Sequence, residues 1–175
     1  MTRMRRLTSL YCSAWVCVLA ATFACSLLLS APVFARSFTF AGVVVKIHDG
    51  DTISVVRRGH AEKVRLAGID CPELRQAYGS RAKNFTSRLA SGQMVTVRVQ
   101  GSDDYGRRLG VVLLPDGRSL NRELVAAGLA RKLKASKNKP LAQLEQNARR
   151  AKRGLWADDD PTPPWEYRKT KSAKR

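Results

Sequence analysis

A chain of 175 residues is long enough for one domain plus appendages. Its 32 Lys and Arg stand against 14 Asp and Glu, a formal net charge of +18 that fits a polyanionic partner: nucleic acid, anionic membrane or acidic polysaccharide. Three of the four cysteines (Cys12, Cys17, Cys25) precede residue 36, so only Cys71 remains beyond it, which excludes an internal disulfide and a cysteine-rich zinc site there.

Residues 1–35 read as a signal peptide. Arg3, Arg5 and Arg6 form a basic start, Leu7 to Leu29 is mostly apolar, and Val33-Phe34-Ala35 fits a small-residue cleavage site. The protein is therefore expected to be exported, periplasmic or secreted. An uncleaved segment of about 20 apolar residues is long enough to span a bilayer and would act as a membrane anchor.

From Phe38 to Ile47 the chain is rich in β-formers and predicts a long strand, bent at Gly42. His48-Asp49-Gly50-Asp51 predicts a tight turn, Thr52 to Arg57 a second strand, Arg58-Gly59-His60 another turn and Glu62 to Ile69 a third strand. Helical spacing follows: Tyr78, Ala82, Phe85 and Leu89 share one face, and Gly92 ends the pattern. Met94 to Gln100 and Leu109 to Leu114 predict two further strands around a polar loop. A short helix is expected over Leu120–Ala127, capped by Ser119 or Asn121 and stopped by Gly128. The last helix is expected from Pro140 to Gly154. Residues 157–175, with Asp158-Asp159-Asp160, three prolines and a basic end, read as a flexible tail pinned at most by Trp165. There is no internal repeat. A mainly β chain with helices, five short strands with a helix between the third and fourth, has the order of an α+β, OB-type Greek-key barrel over residues 36–156.

The chemistry-bearing residues cluster in two places. V-R-L-A-G-I-D-C-P-E (Val64–Glu73) brings Arg65, Asp70 and Glu73 close in sequence, and Asp51 stands at the turn upstream. If the two strands are neighbours, Asp51 and Asp70 share a site. Carboxylate oxygens suit a hard divalent ion, a guanidinium forks onto phosphate oxygens, and a spare carboxylate can serve a water. Each residue has a plainer role open to it: Asp51 as a turn acid, Arg65 paired with Glu62, and Glu73 at the start of the next helix, where the dipole favours acids. His48 and His60 lie on turns without metal-ligand spacing and are read as solvent-facing.

D-G-D-T, V-R-L-A-G-I-D-C-P-E, D-Y-G-R-R-L-G and N-R-E-L-V-A-A-G-L-A, in this order, resemble staphylococcal nuclease (thermonuclease) and its relatives from about Val43 to Trp156. The resemblance implies a five-stranded OB barrel with three helices and a calcium-dependent phosphodiesterase acting on DNA and RNA. It implies Ca2+ held by Asp51, Asp70 and the Cys71 backbone carbonyl, and Glu73 activating the attacking water. Arg65 and Arg107 would clamp the phosphate, Tyr105 would border the substrate, and Asp49 would support the metal site. The sequence departs from the staphylococcal enzyme at Cys71, where that enzyme has threonine, and at Asp104, where it has lysine. The Glu73–Tyr78 loop is shorter, and R-K-L-K-A-S-K replaces a segment with pocket tyrosines.

Three functions are thus in view: an exported calcium-dependent nuclease, expected to be a monomer with no stable protein partner; a basic OB-fold module that binds single-stranded nucleic acid without cleaving it; and an anchored envelope protein that meets anionic lipid. The paired acids favour the first, because a pure binder gains nothing from carboxylates that repel phosphate.

Overall fold

Alternation of apolar and polar side chains dictates the barrel. The structure, a computed structural model, describes residues 37–173; the expected signal peptide lies outside the described residues. Strands β1 (Phe38–Ile47), β2 (Thr52–Arg57) and β3 (His60–Leu66) form an antiparallel meander. β5 (Met94–Ser102) pairs with β1, and β6 (Arg108–Leu113) runs antiparallel to β5 but parallel to β3, closing the barrel in the order β1-β2-β3-β6-β5. This is the expected five-stranded barrel. Its interior is filled by Val44, Ile53, Val55, Val64, Leu66, Val95, Val97 and Val112. Each such side chain contributes about 1.5–3 kcal/mol on burial.

At Gly42 β1 passes close to β2: a Cβ there would lie 2.0 Å from the Val56 carbonyl oxygen. The register break in that pairing falls further on, between Val44 and Lys46. The expected third strand divides in two. After Leu66 the chain turns through Gly68, at φ +78°, and Ile69–Asp70 forms a short β4 that pairs with β7 (Arg131–Lys132). The positive φ favours glycine and ends the barrel strand before Asp70.

Helix α1 (Gly79–Ala90), α2 (Leu120–Ala126) and α3 (Lys139–Arg150) cover the barrel, and a 3-10 turn (Gly154–Ala157) carries Leu155 and Trp156 into a small cluster with Ala148. α3 is capped by the Asn138 side chain, which accepts from the Leu141 N–H at 3.0 Å. Ser119 occupies the N-cap position of α2, but its hydroxyl makes no capping bond. Asn121 has a different task. Its side chain, 2% exposed, accepts from Val112 N–H at 3.0 Å and donates to the Ala67 and Gly110 carbonyls at 2.9 and 3.2 Å. It thereby fixes the turn that leads to Asp70.

A fourth helix, α4 (Pro164–Ser172), lies in the stretch expected to be a flexible tail. Pro164 in the first turn suits a helix start, and it is buried. Arg131 donates to the Pro161 carbonyl, Gln76 Nε2 donates to the Thr162 carbonyl at 2.6 Å, and the Arg131 and Lys134 cations face the Trp165 ring at 6.0 and 5.6 Å. The fold therefore continues beyond Trp156, with four α-helices among the described residues rather than the three expected. Among the described residues no helix is long and apolar enough to cross a membrane.

Asn121→Leu strands the Val112 N–H and the Ala67 carbonyl. It is expected to destabilise the fold by about 1–3 kcal/mol per orphaned group, whereas the exposed neighbour Arg122→Ala should stay within about 0.5 kcal/mol; urea denaturation of both variants checks this.

Candidate active site

Two turns deliver two carboxylates to one place. In the first, the Asp49 side chain accepts from the Asp51 N–H at 3.0 Å, and the Thr52 carbonyl accepts from His48 N–H at 2.9 Å. Thr86 on α1 donates its hydroxyl to the Gly50 carbonyl at 2.6 Å. A Cβ at Gly50 would lie 2.7 Å from Ala82 Cβ and 2.8 Å from Cys71 Sγ, so only glycine fits between helix and turn. In the second, the β4–β7 pairing sets Asp70 opposite Arg131. The turns are joined directly: the Cys71 N–H donates to Asp51 Oδ2 at 2.6 Å, and Leu66 N–H donates to the Asp51 carbonyl at 2.8 Å.

Arg65 sits between the acids. Its Nη1 donates to Asp51 Oδ1 and its Nη2 to Asp70 Oδ1. The two carboxylates, on side chains 1% and 0% exposed, are thus bridged by one guanidinium on a side chain 17% exposed. Its sequence neighbour Glu62 pairs instead with Arg108 at 3.2 Å. Arg65, Asp51 and Asp70 are therefore brought together as the spacing suggested.

The remaining expected residues border an open cleft of about 480 Å³ whose walls include Asp49, Lys63, Arg65, Glu73, Tyr105 and Arg107. Glu73 is not a helix-start acid: α1 begins at Gly79, and no acid lies in its first turn. Its loop is closed by Gln76 N–H donating to the Glu73 carbonyl at 2.8 Å, and the Gln76 side chain accepts from Glu73 N–H at 3.2 Å. A Cβ at Gly79 would lie 1.9 Å from the Glu73 carbonyl oxygen, so glycine is required for this loop to close. Arg107 is oriented by Asp103, which accepts from its backbone N–H at 2.9 Å and its Nε at 2.6 Å. The two terminal nitrogens of Arg107 have no hydrogen-bond partner among the described residues, and its guanidinium lies 5.3 Å from the Tyr105 ring, which is 85% exposed.

Cys71, which stands where the staphylococcal enzyme has threonine, is buried under the Asp49–Asp51 turn. Burial pushes its thiol well up, so it stays protonated and shielded. Among the described residues no three His, Cys, Asp or Glu side chains gather closely enough to hold a metal ion on their own. His48 departs from the expectation of a solvent-facing turn: it is half-buried, and its Nε2 lies 2.9 Å from Ser54 Oγ.

The sequence reading missed Arg168 on α4. Its Nη2 donates to Asp70 Oδ2 at 2.8 Å, and its Nη1 donates to Glu73 Oε1 at 2.8 Å and to Asp70 Oδ1 at 3.3 Å. Pro164 at the helix start and the aromatics Trp165 and Tyr167 were the available signals that this segment folds back.

Burial pushes the Asp51 carboxyl up to about 8, against the opposing pull of Arg65 and the Cys71 N–H. A carboxyl raised in the folded state favours folding while it is protonated, and that contribution is lost as pH rises from about 4 to about 8. In chelator, the unfolding free energy of Asp51→Asn relative to the parent should therefore shift in the variant's favour over that interval. A flat or opposite trend in denaturant titrations at several pH values would contradict the burial argument.

A profile described as "Staphylococcal nuclease homologue" matches residues 63–158. The chain is 44% identical over 131 residues to an "Uncharacterized endonuclease" of Escherichia coli, covering 74% of this chain and 86% of that one. It is 38% identical over 168 residues to a "Micrococcal nuclease" of Shigella flexneri, covering 90% and 95%. It is 36% identical over 110 residues to a staphylococcal-like nuclease of Arabidopsis thaliana, covering 62% and 34%. The chain belongs to the staphylococcal nuclease homologue family.

Proposed function

We propose that this nuclease hydrolyses phosphodiester bonds of DNA and RNA with a calcium ion as cofactor, and that it acts after export. The observation that carries the reading is Arg65 bridging the two buried carboxylates at the edge of a cleft that also holds Glu73 and Arg107.

The donor set fits a hard cation. Asp51 and Asp70 offer carboxylate oxygens and the Cys71 backbone offers a carbonyl, while the Cys71 sulfur is packed against the Gly50 turn. Three protein oxygens are fewer than the 6–8 that calcium takes, so water and substrate would complete the set. When bound, the ion supplies charge neutralisation and polarisation at the phosphoryl oxygen.

The chain's own residues do the rest. Arg65 and Arg107 donate to the non-bridging phosphate oxygens, where negative charge accumulates in the transition state. Arg107 suits this because Asp103 occupies only its Nε and leaves the terminal fork to the cleft. Glu73, 40% exposed, stays wet enough to accept a proton from the attacking water. Tyr105 forms an exposed wall against which a nucleotide can rest, and Asp49 fixes the turn that presents Asp51. The surrounding positive charge steers a polyanion toward the cleft.

The alternative, a non-catalytic module that binds single-stranded nucleic acid, would share the barrel and the charge. Burying Asp51 and Asp70 beside a phosphate-binding cleft is unfavourable for such a binder, and this speaks for catalysis.

Arg107→Ala should lower turnover by about 10²–10³-fold with little loss of substrate binding. Single-turnover cleavage and filter binding on the same substrate separate the two effects. Digestion of DNA and of RNA should proceed with calcium and stop with chelator; retention of both substrates uncut in calcium, with binding intact, would favour the alternative.

A further inference from the structure

We propose that α4 is a cation-gated latch: Arg168 stands on Asp70 and Glu73 where the divalent ion would act, so helix and ion occupy those carboxylates in mutual exclusion. The inference rests on the calcium reading above and adds a means of regulation to it.

Both oxygens of Asp70 already receive guanidinium nitrogens. Oδ1 accepts from Arg65 and from Arg168 Nη1, and Oδ2 accepts from Arg168 Nη2 at 2.8 Å. A calcium ion approaches a carboxylate oxygen to about 2.3–2.6 Å, which would set it against a nitrogen of like charge on the same buried oxygen. Arg65 is held on two sides, by Asp51 as well as Asp70, and its side chain is only 17% exposed. Arg168 can leave, because its side chain is 44% exposed and every residue from 168 to 173 is exposed. Glu73 is drawn into the same contact, at 2.8 Å from Nη1, so the proposed water-activating carboxylate is also neutralised while the latch is shut.

The two ends of the segment are held by different physics. The entry to α4 is anchored by buried Pro164, by the Gln76 and Arg131 hydrogen bonds to the Thr162 and Pro161 carbonyls, and by Trp165 between cations. Tyr167 adds a hydroxyl hydrogen bond to the Arg75 carbonyl at 3.3 Å. Beyond Tyr167 the Arg168 fork is the contact that reaches the acids. A divalent ion at Asp70 removes the attraction holding that end and adds repulsion, so the helix pivots about its Pro161–Pro164 anchor without detaching. The site is then latent until cation concentration is high enough to displace the guanidinium.

The test is calcium titration by calorimetry on the purified full chain, Arg168→Gln, Trp165→Ala and Asp70→Asn at fixed ionic strength. With a shut latch leaving about one molecule in ten competent, Arg168→Gln should bind calcium roughly tenfold more tightly. Trp165→Ala, which loosens the anchor, should shift affinity in the same direction, and Asp70→Asn should lose binding. Cleavage after Lys169 and Lys171 by a lysine-specific protease gives a second readout. Calcium should accelerate it in the parent, and Arg168→Gln should be cut rapidly without calcium.

Equal calcium affinity in the parent and Arg168→Gln, with Asp70→Asn still abolishing binding, would overturn the latch and leave the calcium site standing. So would a weakened substrate KM in Arg168→Gln with unchanged calcium affinity, which would make Arg168 a third phosphate clamp. Failure of the parent, Arg168→Gln and Trp165→Ala all to bind calcium would overturn the calcium reading and the latch together.

Discussion

Everything at this site depends on a single guanidinium that joins two carboxylates distant in sequence. Asp51 closes the β1–β2 turn and Asp70 follows a glycine turn after β3; Arg65 reaches both from the strand between them. Removing water from two acids costs several kcal/mol per ion unless a countercharge and hydrogen bonds compensate. Arg65, the Cys71 N–H and the Thr52 hydroxyl offset part of that cost for Asp51, whose carboxyl burial still pushes up to about 8. The scaffold around them keeps the arrangement stiff: Thr86 and Gly50 seat one turn under α1, while Asn121 and the β4–β7 pair seat the other.

The same electrostatic frustration explains why the C-terminal helix is where it is. A barrel with this excess of cations still concentrates negative charge at Asp70 and Glu73, and Arg168 of α4 settles there beside Arg65. Aromatic and backbone contacts dock the start of α4, whereas charge alone holds its far half. A contact of the second kind responds to ions, and one of the first kind does not.

Much of the barrel was legible in the sequence because alternation of valines with polar residues leaves one solution per strand: Thr52–Arg57 came out with the bounds expected. The division of the third strand was not, since the positive φ of Gly68 and the β4–β7 pairing are tertiary facts. Asn121 looked like a cap because asparagine before an apolar run usually is one; its true partners lie on β6 and the turn after β3, far along the chain. Arg65, Asp51, Asp70 and Glu73 could be grouped from spacing, while Arg107 stood out only through resemblance to a family. Arg168 was hidden by composition: a run of acids, prolines and bases reads as solvated chain unless its aromatic residues are given a surface to meet.

The most direct test of the account is the position of a divalent ion in a crystal of the protein, located by anomalous scattering from calcium or a lanthanide substitute. The account predicts one dominant peak within bonding distance of a carboxylate oxygen of Asp51 and of Asp70, with Arg168 withdrawn from Asp70. A peak seated elsewhere, with Arg168 still on Asp70 at saturating ion, would contradict it.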